Sequence, residues 1–199
     1  MIKLLFSILL LSGCGGANDG AREAPGRERP AAKTDEKPGV AAERFACETP
    51  SGWEIKRDRE KEKKTKILKL ELVGPREGNA PVLIYAAFYG TGNASFSDHA
   101  DFIERNSKNI LGETQSDTEK FSPVKETSLA GKKTFEFDSE IKEYLNPESK
   151  SAESVVIKEK FYVIPAKDGF FVLHYYAPAP AYNKYLPVFK KLTATFKIL

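Results

Sequence analysis

Apolar and polar positions change their spacing along this chain, and each change marks an element. Leu4 to Leu11 form an apolar run, interrupted only by Ser7, behind Lys3, the charged and apolar parts of an export signal. The run is too short to cross a bilayer, which takes about 20 apolar residues. No pattern follows until Phe45: from Gly15 to Arg44, Val40 is the one branched aliphatic residue and no aromatic occurs. From Phe45 to Ile55 the pattern reads as a first strand, with a turn at Pro50-Ser51-Gly52 before Trp53. Leu68, Leu70 and Leu72 then alternate with Lys69 and Glu71, the period of a half-buried strand over Ile67 to Val73 that Gly74 and Pro75 should end. Val82 to Tyr89 is almost wholly apolar, as in a central strand covered on both faces, so helices are expected to lie on the sheet.

A helix is predicted from about Ser97 to Leu111. Ser95 or Ser97 would cap it, Asp98 and Asp101 would complement its dipole, Gly112 would close it, and Phe96, Ala100, Ile103 and Ile110 would form its apolar stripe. Strands follow at Lys132 to Ser139, Val155 to Ile164 and Phe170 to Ala177, the last two joined by a hairpin turn at Lys167-Asp168-Gly169. Near the end Tyr182, Tyr185, Leu186, Phe189 and Leu192 keep helical spacing, but Pro187 would interrupt a continuous helix. The regular part is expected to begin there. The order predicts an α+β fold, a layered α/β/α sandwich with a mainly antiparallel central sheet.

The 199 residues carry 31 basic and 28 acidic side chains, a balance that argues against nucleic-acid binding. Six acidic and six basic residues also cancel within Gly15 to Arg44, so the stretch reads as a disordered tether and not as a polybasic membrane tail. At its head, Leu11-Ser12-Gly13-Cys14 resembles the lipobox of bacterial lipoproteins. That resemblance implies that the Cys14 thiol is alkylated by a diacylglyceryl group and becomes the first residue after cleavage. The expected organisation is a signal peptide over 1–13, a lipidated cysteine and tether over 14–44, and one domain over 45–199. Gly15 after the cysteine implies, by the same resemblance, outer-membrane sorting facing the periplasm where the source has two membranes. A lipidated Cys14 leaves Cys47, the only other cysteine, as an unpaired thiol read as a small buried apolar residue.

The element order, the Pro50-Ser-Gly-Trp53 entry and the ending Tyr185-Leu-Pro-Val-Phe189 with Thr195-Phe196 resemble the PsbP-like domains. These include the photosystem II extrinsic subunit, a Ran-binding nuclear protein and small bacterial lipoproteins. The resemblance implies a non-enzymatic binding or assembly module, and carries no partner-contacting or metal-binding residue to this chain.

Chemistry-bearing motifs are few. There is no Gly-x-Ser-x-Gly, P-loop, His-Glu-x-x-His or Cys-x-x-Cys pattern. Asp98, His99 and Asp101 are two carboxylates one helical turn apart with a histidine, but carboxylates belong at a helix start for dipole reasons alone. His174, between Leu173 and Tyr175, reads as a structural histidine hydrogen-bonded near the sheet surface. Lys56 to Lys66, with seven basic and three acidic residues, reads as a solvated hairpin able to approach anionic headgroups or an acidic partner. Tyr162, Tyr175, Tyr176, Tyr182 and Tyr185 gather near the last strands, as a ligand groove, an interface or core packing would have them. The expectation is therefore a membrane-anchored envelope lipoprotein with no cofactor or catalytic residues, its domain binding an envelope protein. The alternatives are a small-ligand or metal-binding envelope protein, using His174 or His99, and then an unrecognised hydrolase.

Overall fold

Eight strands of the domain line up in one sheet because their side chains alternate in the way the sequence demands. The computed structural model describes residues 39–77, 79–145 and 153–199, all within a compact unit that runs from Lys37 to Leu199. Cys14, the signal segment and the tether up to residue 38 lie outside the described residues.

The chain enters with β1 (Gly39–Ala41) and β2 (Phe45–Glu48), which form a small antiparallel sheet with the last strand, β11 (Lys197–Ile198). Pairing therefore starts inside the stretch read as tether, where Val40 sits opposite Cys47 and Ala42 is already buried. The main sheet begins with β3 (Glu54–Lys56), followed by α1 (Arg59–Thr65), β4 (Ile67–Glu77) and β5 (Ala80–Gly90). Then come α2 (His99–Asn106), β6 (Glu119–Phe121), β7 (Lys125–Leu129) and β8 (Lys132–Tyr144). β9 (Ser154–Ala166), β10 (Gly169–Pro178) and α3 (Ala179–Thr195) complete the order. Across the sheet the strands lie β3-β4-β5-β10-β9-β8-β6, with β7 beside β6 along the outer edge of β8. Every pair is antiparallel. The fold is α+β, with α3 on one face of the sheet and α2 on the other.

The α3 face holds the larger core. Leu70, Leu72, Val82, Ile84, Leu173 and Tyr175 point from the strands to Phe189 and Leu192 of the helix, and Phe45 of β2 closes the end against Phe171 and Phe196. Each such side chain contributes about 1.5–3 kcal/mol by leaving water. The opposite face packs Phe102 of α2 on Tyr89, Phe161 and Phe170, with Phe137, Val163 and Val172 beside them.

Five elements depart from the sequence pattern, the first being the strand read over Phe45 to Ile55, which is divided between β2 in the small sheet and β3 in the main one. The basic run at Lys56 to Lys66 is not a plain hairpin but holds α1, which Asp58 caps by accepting from the Lys61 N–H at 2.9 Å. Glu62 of that helix is buried, paired with Arg57, and accepts the Lys69 N–H. Strand β4 runs past Gly74 and Pro75 with a bulge between Val73 and Arg76. A β carbon on Gly74 would lie 2.7 Å from the Trp53 ring, so glycine stands there to admit the indole, not to end the strand. α2 stops at Asn106 and is capped by Asp98, whose carboxylate accepts from Ala100 and Asp101. Its buried residue is Phe102, while Ala100 and Ile110 are exposed. α3 starts at Ala179 and continues through Pro187, because Ala181, Phe189 and Leu192 anchor both halves in one core and outweigh the one backbone bond the proline removes.

Candidate interaction face

On the face of the sheet that bears α2, register places side chains in rows across the strands, buried at Leu83, Phe137, Ser139 and Phe161 and part-exposed at Glu71, Tyr85, His174 and Tyr176. One row runs from Glu71 through Tyr85, His174 and Phe161 to Phe137, and the next from Val73 through Leu83, Tyr176 and Glu159 to Ser139. The first is a ladder of parallel rings. His174 stacks on Phe161 with centroids 4.1 Å apart and on Tyr85 at 5.3 Å, and Phe161 stacks on Phe137 at 4.7 Å. The Lys69 ammonium sits 4.9 Å over the Tyr85 ring and 3.3 Å from Glu71.

Carboxylates lie between the rings. Glu159 is clamped from two sides, since the His174 Nε2–H faces one oxygen at 2.9 Å and the Ser139 hydroxyl donates to the other at 2.5 Å. Tyr176 donates to Glu143 at 2.9 Å. Burial, and then the charge of Glu159, pushes the Glu143 carboxyl above its ordinary range, although the Tyr176 hydrogen bond works the other way. Burial first, and neighbouring glutamates second, also push the Tyr85 and Tyr176 hydroxyls up, so both stay protonated as donors at neutral pH.

Serine, glutamate and histidine thus meet here, but not in the order nucleophilic catalysis needs. An activated serine gives its proton to the imidazole. In this network hydroxyl and imidazole both address Glu159, and the imidazole is held between two rings. The arrangement is a satisfied polar network that fixes the geometry of the face.

The other candidate residues are placed as follows. Asp98 caps α2, Asp101 accepts the Ser97 N–H and pairs with Arg105, and His99 stacks on Phe135. Among the described residues no group of three or more histidine, cysteine or acidic side chains is set to hold a metal ion. The five tyrosines do not form one groove. Tyr175 is fully buried and donates to the Tyr182 carbonyl, Tyr162 stacks on Phe189, and Tyr185 donates to Glu77 beside Trp53, all on the α3 face. Tyr176 alone points to the opposite face. Cys47 is a free buried thiol, pushed up to about 11 by burial. A depression of about 490 Å³ at the β6 edge is open, and its charges are spent on one another, with Lys158 3.3 Å and Lys120 3.7 Å from Glu140.

Tyr85, Ser139, Glu143 and Glu159 escape a motif search, since Glu159 lies in a Lys-Glu-Lys run that reads as solvated. Strand parity was the available signal: Glu159 stands two residues from Phe161 and so shares its face.

No protein-family model matches the chain, and no curated protein does. Among solved structures, it is similar to cyanobacterial PsbP from Synechocystis sp. PCC 6803, at a TM-score of 0.49 and 8% identity over 95% of this chain and 99% of that one. It is also similar to LpqN, described as involved in cell envelope biogenesis of Mycobacterium tuberculosis, at a TM-score of 0.46 and 16% identity over 77% of this chain and 82% of that one.

Proposed function

We propose that the chain is a lipid-anchored envelope protein whose domain is a non-enzymatic protein-binding module, docking through the accessible strip of Glu71, Tyr85, Tyr176 and Glu143 on the sheet face that bears α2. The clamp on Glu159 carries this reading. It commits the serine and histidine to a common carboxylate and leaves Tyr85, Tyr176 and the carboxyl groups beside them as the accessible part of the face, a strip suited to a protein side and not to a small molecule, which favours a concave pocket. Glu71, paired with Lys69, and Glu143, paired with Tyr176, set hydrogen-bonding carboxyl groups at the edges of this strip, and the partner is an envelope protein that presents complementary polar side chains. The anchor is the lipidated Cys14, and the place is the outer membrane facing the periplasm where the source has two membranes.

The test places a photoreactive benzophenone residue at Tyr176 in the full chain and irradiates intact cells. One discrete protein adduct is expected, weakened by Glu71→Gln with Glu143→Gln and lost from the membrane fraction in Cys14→Ser. Absence of an adduct from correctly anchored protein refutes the docking face. Membrane retention of Cys14→Ser without lipid labelling refutes the anchor.

A further inference from the structure

Two large aliphatic side chains project from the loop after α2. Ile110 is 70% exposed and Leu111 78%, more than any other large apolar residue among those described. The loop cannot fold them back, because Asn109, itself only 9% exposed, ties it shut. The Asn109 side-chain oxygen accepts from the Leu111 and Glu113 N–H groups at 2.9 Å each, and its amide nitrogen donates to the Glu113 carboxylate at 3.0 Å. Backbone bonds join Asn109 N–H to the Glu113 carbonyl and Gly112 N–H to the Asn109 carbonyl. Gly112 supplies the φ of +83° that this turn requires. The result is a rigid tip with an apolar end, whereas large aliphatics usually lie inside.

We infer that this tip is a membrane-contacting element, with Ile110 and Leu111 entering the boundary between headgroups and acyl chains of the bilayer to which the chain is tethered. The inference rests on the lipid anchor proposed above. The 24 residues from Gly15 to Pro38 can span no more than about 80 Å, so the anchor keeps the bilayer within range of the domain and makes contact an intramolecular event. A protein interface needs roughly 20–30 residues a side, and the tip offers two aliphatics flanked by charged residues. Lys108 is paired with Glu104, Arg105 with Asp101, and Glu113 with Asn109, so no free basic cluster draws it to anionic lipid. Entry is apolar and needs no anionic headgroup. Two points of attachment, lipid and tip, would orient the domain where the lipid alone leaves it free to turn.

The test uses the mature chain from Gly15 in a Cys47→Ala background, with a His-tag in place of Cys14, held on nickel-chelating vesicles of phosphatidylcholine. The artificial anchor makes the result independent of whether Cys14 is lipidated in the cell. An environment-sensitive fluorophore goes on Ile110→Cys, on Leu111→Cys, or on Lys190→Cys of α3 as reference. Expected are a blue shift and quenching by lipids spin-labelled near the headgroup at 110 and 111, with neither at 190. Water-like emission at 110 and 111 from vesicle-bound protein overturns the inference. So does insertion that appears only when phosphatidylglycerol is added, or protection that appears only with a protein partner.

Discussion

Replacing Gly169 by alanine tests the geometry at the centre of the sheet. Gly169 closes the β9–β10 hairpin and pairs with Gly90 at the end of β5. Its φ of +149° is one that L side chains rarely adopt, and a β carbon there would stand 2.0 Å from the Tyr89 carbonyl oxygen and 2.9 Å from the carbonyl carbon. The obstacle is backbone, so relief requires moving β5, whose Tyr89 ring is stacked on Phe170 at 4.8 Å. The backbone strain costs about 1–3 kcal/mol, and the forced displacement about as much again, as overpacking does. A total of about 2–5 kcal/mol lowers Tm by about 5–20 °C for a domain of this size. Gly131 is the control: it also has a positive φ, +70°, but an added β carbon meets nothing within 4 Å. Thermal unfolding of both variants, followed by circular dichroism, separates strain from collision. A Gly169→Ala loss no larger than that of Gly131→Ala would refute the collision argument.

Two further outcomes follow from single side chains. Pro187→Ala should stabilise the protein by about 1–3 kcal/mol in urea unfolding, because the exposed proline denies α3 one backbone bond and proline costs about 3 kcal/mol against alanine inside a helix; an unchanged midpoint would mean that α3 has fully absorbed the interruption. Glu143 has its carboxyl raised in the folded state, chiefly by burial, so its ionisation opposes folding. The penalty is absent below the unfolded-state value, grows as pH rises from that value to the raised folded one, and is complete above it. Glu143→Gln should therefore gain stability relative to the parent between pH 4 and pH 7 (roughly the span from the usual carboxylate range upward), and equal midpoint differences at both ends would contradict the raised carboxyl.

What the sequence discloses and what it hides divide along physical lines. β5, β8, β9 and β10 are readable because a period of two or an unbroken apolar run is enough to define a strand in a sheet, and Lys167-Asp168-Gly169 shows its turn directly. α1 is hidden because it has no apolar stripe: Glu62 is its buried residue, and what buries it is Arg57 and a backbone N–H on β4, partners that only the fold supplies. α2 is overextended by the sequence reading because Ile110 keeps helical spacing, while the Asn109 side chain competes for the backbone just beyond Ser107. The turn at Gly74 and the break at Pro187 are overruled by Trp53 and Phe189, tertiary contacts that local propensity does not contain. The same limit applies to the candidate face. His174 is visible as a lone histidine on a strand, but its partners Glu159 and Ser139 lie on other strands, in positions whose neighbours look solvated.

The two ends of the main sheet restrict how anything can bind it. At one end β3 is three residues long, all exposed, and two of them are charged: Glu54 and Lys56. At the other, the rim is split between β6 and β7, with Pro123 between them. Short, charged and broken rims offer an incoming strand no continuous run of free backbone groups. Copies crowded together are thereby protected from zipping onto one another, and anything that binds the sheet is directed to its broad faces, side chain by side chain, rather than to an extension of the sheet.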